Sequence, residues 1–325
     1  MANFDAFMGG SYESQAVTAD QERTINWYPE VLQSGGATAK KVLYPTPGVQ
    51  QIGTLTKSGV GRGHFGALDM ELAVIGQKVW SISETGSFWE AYGAATDDGQ
   101  PVTFCHCPQT LINPQIFITS GGNGILINRL GPNTWLGGPI AALAGKATQG
   151  GFLDGRFIVL DAETSTFYIS AVFDGSTWST GTEFAKRSLA PDPWRAMKVV
   201  GRYIWLFGEV TTEIWQDVGA NFPFAPFPST LIPYGIAAPY SVALVGPGVA
   251  WLARTSGGKV CVVYSAGQNP QVISSYPIES ALDDLDVDAA VGNSYSENGH
   301  TFYLLSIDGA DVTYVWDLET GLWHE

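Results

Sequence analysis

The stretch SAVFDGSTWST, residues 170–180, reads as a strand end, a tight turn and a tryptophan three residues after a glycine. Asp-Gly between two strand-like runs is a hairpin signal, because glycine supplies the positive φ of a two-residue turn. The same text returns at 81–91, SISETGSFWEA, and at 316–325, WDLETGLWHE. The Gly/Trp pairs are Gly86/Trp89, Gly131/Trp135, Gly175/Trp178 and Gly321/Trp323. In the fourth copy Phe222 stands where the tryptophan would be, and the fifth keeps Gly267 without an aromatic. The strands leading into these turns end at Trp80, Ile127, Ile169, Trp215, Tyr264 and Trp316, in steps of 47, 42, 46, 49 and 52 residues.

Each copy carries an apolar strand upstream: ELAVIG (71–76), QIFITS (115–120), RFIVLD (156–161), RYIWLFG (202–208), VAWLAR (249–254) and TFYLLSID (301–308). A further strand-like run precedes each, from GRGHFGA (61–67) to VDAAVGN (287–293). Four short strands per repeat, written six times, predict an all-β fold, a six-bladed β-propeller over residues 58–325. A sandwich or jelly roll is the opposing reading, but it would not need a fixed period. In a blade the repeated turn joins the third and fourth strands, and the tryptophan anchors it.

Composition agrees. The 325 residues are 45% hydrophobic and only 14% charged, with 39 glycines, which favours turns and pleated sheets over helix bundles. The net charge of −15 argues against a generic electrostatic binder of nucleic acid, while leaving room for DNA to pass without sticking. Three cysteines, Cys105, Cys107 and Cys261, do not make a disulfide framework, and cytoplasmic synthesis is expected. The N-terminus lacks the basic region and apolar run of a signal peptide, and no run is long enough to span a membrane.

Residues 1–57 stand outside the repeat and are expected to form an arm laid on the propeller or on a neighbouring subunit. Within it SGGATAK (34–40) reads as flexible and YPTPGV (44–49) as a turn. The sixth blade stops at its outermost strand, so either the arm supplies a closing strand or the chain is part of a longer protein.

The arm also carries the most specific text, GSYES followed by an arginine, NWYPE and PTPG. Gly10, Ser11, Tyr12, Arg23, Asn26, Trp27, Tyr28, Pro29, Glu30, Pro45, Pro47 and Gly48 resemble the packaged-DNA stabilisation proteins of short-tailed bacteriophages, also called tail hub, nozzle or head-closure proteins. The resemblance implies a structural protein, not an enzyme, located in the virion tail. It implies a self-assembled, usually hexameric ring below the portal and adaptor, extending the DNA channel, retaining packaged DNA without sequence-specific binding, and attaching a distal needle, fibre or tailspike. No cofactor or membrane is implied. Tyr12, Arg23, Asn26, Trp27 and Tyr28 are the candidate assembly residues of the arm, with Trp27 and Tyr28 as aromatic anchors.

Other chemistry is weaker. The turns resemble the Asp-box of sialidases, with Glu84 or Asp174 near the Asp position. Asp-boxes are structural, and no motif links Arg62, Arg156, Arg195 or Arg202 to a Tyr/Glu pair. A propeller glycosidase or glycan-binding module is the alternative function. In CHC (105–107) a strand sends Cys105 and Cys107 to one face and His106 to the other, which suits buried thiols better than a metal site. LDDLDVD (282–288) reads as a strand with Asp284, Asp286 and Asp288 on one face, a candidate channel-lining stripe. ANFPFAPFPST (220–230) cannot be a central strand. It reads as a loop, packed on its own blade or protruding, with Phe222, Phe224 and Phe227 as candidate contacts. No GK[ST] loop supports nucleotide hydrolysis.

Overall fold

The apolar strands of each repeat place hydrophobic side chains on both faces of their sheet, so each sheet requires cover on both sides. A computed structural model of the chain describes residues 9–13, 21–31, 41–51, 54, 59–67, 70–107, 114–131, 134–186 and 189–325. The flexible run expected at 34–40 lies outside the described residues. The six sheets are the blades of a six-bladed β-propeller, each an antiparallel meander in chain order. The chain divides into two compact units, residues 50–231 and residues 1–49 with 232–325.

The first unit holds blades 1 to 4. Blade 1 is Gly61–Ala67, Met70–Ile75, Lys78–Ile82 and Phe88–Tyr92; blade 2 is Thr103–Cys107, Gln115–Ser120, Asn123–Gly131 and Thr134–Pro139. Blade 3 is Gln149–Leu153, Arg156–Asp161, Thr166–Ala171 and Asp174–Trp178, with Phe184–Lys186 also paired to its third strand. Blade 4 is Trp194–Val200, Tyr203–Gly208, Thr212–Asp217 and Phe224–Ile232.

Alternation along the strands sorts side chains between neighbours. Ile116 and Ile118 of blade 2 pack with Leu72, Val74 and Val79 of blade 1. Phe117, between them, faces the other way, onto Phe157, Val159 and Trp178 of blade 3. Ile158 and Leu160 then face Met197, Ile204 and Leu206 of blade 4. Cys105 and Cys107 are buried within the second of these clusters, and burial pushes the Cys105 thiol up.

Polar groups fasten the same layers. Buried Arg62 donates from Nε to the Gln100 carbonyl at 2.7 Å, from Nη1 to the Thr96 carbonyl at 2.7 Å and the Ser120 hydroxyl at 2.9 Å, and pairs with Asp98. A guanidinium satisfied on all sides is strongly held, because breaking any partner leaves a buried charge. The Asp192 carboxylate accepts the backbone N–H groups of Glu209, Val210 and Thr211 and closes the turn of blade 4.

In the second unit, Gly235–Ile236 and Ala243–Val245 both pair with Gly248–Arg254, and Val260–Ser265 and Gln271–Val272 complete blade 5. Blade 6 is Val291–Glu297, His300–Ser306, Thr313–Asp317 and Trp323–His324. Tyr303, Leu305, Trp316 and Trp323 of blade 6 share a buried cluster with Ala250, Leu252 and Val262 of blade 5. The two approach so closely at Gly292 that a Cβ there would lie 2.0 Å from the Ser241 carbonyl oxygen. The arm forms two hairpins of its own, Tyr12–Glu13 with Gln21–Glu22, and Trp27–Val31 with Lys41–Pro45. Of the turn expected at 44–49, Tyr44 and Pro45 belong to the strand and residues 46–49 form no turn.

Two readings need correction. Residues 276–283 form a helix, and the acidic run leaves from its C-terminus instead of forming a strand. Ile278 and Leu282, four apart, are buried on one helix face, and a proline stands in the first turn. Asp284 caps the helix, Asp286 accepts the Asp288 N–H, and Asp288 pairs with Arg254 at 3.3 Å, so the three share no strand face. The Pro/Phe-rich run is a strand from Phe224 onward, not a loop. It is the fourth, edge strand of blade 4, the position in a sheet where proline is tolerated.

Trp89, Trp135, Trp178 and Trp323 all lie on the fourth strands of separate blades. Their burial differs. The Trp178 ring packs on Phe117 with centroids 5.5 Å apart, and its Nε1 donates to the Gly175 carbonyl at 2.7 Å. Trp89 is 37% exposed. Trp178→Ala is therefore expected to destabilise by about 3–5 kcal/mol, and Trp89→Ala by less than about 1 kcal/mol. Equilibrium denaturation midpoints read both; equal effects would contradict the packing.

Candidate functional site

The described arm residues fold back on the last strand of blade 6. Gly9 donates its N–H to the Glu22 carboxylate at 2.8 Å, and the Thr24 hydroxyl donates to the Gly9 carbonyl at 2.9 Å. Ser11 donates its N–H to the Trp323 carbonyl at 2.6 Å. A Cβ on Gly10 would sit 2.5 Å from that carbonyl oxygen, so the motif glycine is what lets the arm pass. Glu325 donates its N–H to Thr24 at 2.9 Å, and Asn26 donates its own to Glu325 at 2.6 Å. The arm thus pairs with the outer edge of the sheet through three backbone bonds. Asn26 makes the turn from this edge into the next hairpin at φ 58°, a left-handed conformation asparagine tolerates better than most residues. Arg23 pairs with Glu325 and lies 3.7 Å from Glu13.

Beyond Asn26 the chain alternates. Trp27 is 46% exposed and Tyr28 is 1% exposed. Tyr28 enters a buried cluster with Phe302 and Val315 of blade 6, its ring 5.1 Å from Phe302, 5.0 Å from His300 and 6.3 Å from His324. Its hydroxyl accepts from Asn298 at 3.4 Å. Glu30, on the same strand face, reaches the Nε2 of His300 at 3.4 Å, while the Nδ1 of His300 lies 2.8 Å from Asp317. Asp317 is fully buried and also accepts from the Thr320 hydroxyl and the Glu319 N–H.

The pKa values of the two histidines here shift in opposite directions. Burial lowers the His300 pKa, but the hydrogen bonds and charges of Asp317 and Glu30 outweigh it, and the net shift is upward. Burial pushes His324 down to about 4, and neither of its ring nitrogens has a hydrogen-bond partner among the described residues. Beside the dock, an open groove of about 700 Å³ is lined by Ile25, Pro47 and Val49 of the arm and Tyr295, Leu304 and Val315 of blade 6.

The structure therefore brings Arg23, Asn26 and Tyr28 into one dock, and leaves Trp27 and Tyr12 exposed beside it. Phe222, Phe224 and Phe227 lie in the other unit. Phe224 is buried and Phe222 half-buried, both packed around Phe167, and Phe227 packs edge-on against Tyr203. Phe222 and Phe224 thus pack against blade 3, and Phe227 packs within its own blade. Asp284, Asp286 and Asp288 are exposed. Sequence reasoning missed His300, Asp317 and His324. The Asp-Leu-Glu-Thr turn at 317–320 was visible as a repeat of Asp-Ala-Glu-Thr at 161–164, but nothing there points to an arm. Among the described residues no cluster of His, Cys, Asp and Glu is placed to hold a metal ion.

The sequence matches the family described as Bacteriophage P22 Gp10, beta-propeller, over residues 7–323, and the chain belongs to that phage stabilisation family. It is a structural protein of a bacteriophage and a component of the virion. No curated protein matches the chain. Among solved structures, the extracellular domain of BT4673 from B. thetaiotaomicron is 6% identical at TM-score 0.50, over 83% of this chain and 33% of that one. The chain thus spans about a third of that protein, and the likeness is one of fold. The N-terminal domain of Nup159 is 11% identical at TM-score 0.45, over 79% of this chain and 72% of that one.

Tyr28→Ala should remove the buried plug of the dock and weaken arm docking by about 3–5 kcal/mol. Hydrogen exchange of peptides covering residues 21–31 should speed up while those of Arg156–Asp161 stay protected. Unchanged exchange of the arm would show that the backbone pairs hold it alone.

Proposed function

We propose that copies of this chain form a ring, a hexamer, in the phage tail below the portal and adaptor. The ring extends the DNA channel, retains the packaged genome, and gives distal tail needle, fibre or tailspike proteins a place to attach. The carrying observation is the family match over residues 7–323. The structure supports it through the arm, which is docked by Tyr28 and still presents apolar side chains outward. Ile25, Trp27 and Val31 are each exposed by nearly half, next to the groove of about 700 Å³. A cluster of this kind, with tryptophan at its centre, is the usual composition of an interface core. The partner in this reading is the next copy of the chain or the adaptor above it.

Charge supports the channel part. A lumen that traps phosphates gains from counterion release and would hold the genome back at ejection. A chain of net charge −15 avoids this, and the exposed Asp284, Asp286 and Asp288 are the first groups to examine on the DNA-facing surface.

Trp27→Ala leaves the chain's own stability within about 1 kcal/mol, since the ring is exposed. If Trp27 is an anchor, it weakens assembly by about 2 kcal/mol, or roughly thirtyfold. Sedimentation of the purified chain with portal–adaptor complex reads this directly, and unaltered assembly would exclude the arm face. Separately, the unmodified protein should show no duplex-DNA binding at physiological salt. Micromolar binding would overturn the repulsive-channel reading without touching the ring.

A further inference from the structure

We propose that His300 is a proton-operated latch for the arm: Glu30 of the arm and Asp317 of blade 6 face the two nitrogens of one imidazole ring, so the arm is held when both nitrogens carry protons. This goes beyond the structural role above and does not depend on ring formation.

The geometry leaves few alternatives. Asp317 lies 2.8 Å from Nδ1 and Glu30 lies 3.4 Å from Nε2. A neutral imidazole has a single N–H. If it sits on Nδ1, facing Asp317, then Nε2 turns a lone pair toward the Glu30 carboxylate, and the two repel. Only the imidazolium donates to both. Asp317 is fixed, being fully buried and held by Thr320 and Glu319. Glu30 is partly exposed and belongs to the arm, so it is the side that can leave.

The remaining groups around the ring do not replace the missing proton. The arm adds Tyr28, with its ring 5.0 Å away. The first strand of blade 6 adds Tyr295 and Glu297, the second Phe302, stacked at 5.8 Å, and the turn between them Asn298, which is spent on Tyr28. The last strand adds His324, which burial keeps neutral down to about pH 4. The ion pairs described for Glu30 and Asp317 are both to His300; no lysine or arginine is among them. The upward shift of the His300 pKa fits this surrounding. A base whose pKa is raised by docking stabilises the docked state fully below its free value. That contribution is lost as pH rises through the docked value.

The test is hydrogen exchange of arm peptides covering residues 24–31, corrected for intrinsic rates, from about pH 6 to about pH 9, a range spanning the ordinary histidine value. His300 is titrated in parallel by NMR, and peptides of blade 3 report global unfolding. In the wild type, arm protection should fall about tenfold for each pH unit between the free and docked pKa, the fall levelling off at the titration of docked His300. In Glu30→Gln the side-chain amide donates to Nε2 of the neutral ring. Protection should then be flat across the range and the His300 pKa should fall. Flat wild-type protection, a Glu30→Gln variant that follows the wild type, or a variant whose arm is undocked at every pH would each overturn the proposal.

Discussion

A sheet that is apolar on both faces cannot stand alone, and every other feature of this protein follows from that. Phe117 and Ile118 are adjacent in sequence and face different neighbours. The same holds for Phe157 and Ile158. Within each unit, neighbouring blades therefore share a core, and the polar links at Arg62 and Asp192 only fix the spacing of layers whose attraction is already set by burial. The glycine at 292 belongs to the same constraint, because two blades that share a core bring their backbones within reach of each other.

Within the unit formed by the arm and the last two blades, blade 6 has one face on blade 5 and lays the other under Tyr28. The arm thus gives that face apolar cover through a single aromatic plug. The plug brings polar chemistry with it. A plug on an extended strand carries alternate residues that must go somewhere, and Glu30, two positions on, arrives at a histidine that already has a carboxylate partner. Apolar packing provides the attraction; the imidazole sets the protonation state in which the site is fully satisfied.

The fold was legible because blades are written locally. Strand, turn and strand are neighbours in sequence, so period and turn chemistry suffice. The misreadings arose where local text is ambiguous. Pro226 and Pro228 rule out a central strand but are tolerated on an edge, and the sequence does not say which strand is the edge. The acidic run hid a helix whose only signal is a proline followed by Ile278 and Leu282. The site was half legible. Arg23, Asn26 and Tyr28 stand together in the arm's distinctive text, but the groups they meet are not near them in sequence. Tyr28 and Asn298 are 270 residues apart, and Arg23 and Glu325 are 302 apart. No pattern within a window can join them.

That separation has a kinetic meaning. Each blade closes over short loops, so its meander forms early and at small entropic cost, while the arm must wait for the two ends of a loop of about three hundred residues to meet. On a ribosome the arm emerges well before its dock. During that interval Tyr28 has no pocket, and the edge at Trp323 has no partner. An unpaired edge does not distinguish between an arm of its own chain and the same arm from another. At high local concentration the order of synthesis therefore opens a period in which copies of this protein can exchange arms, and the competition ends only when each edge is taken.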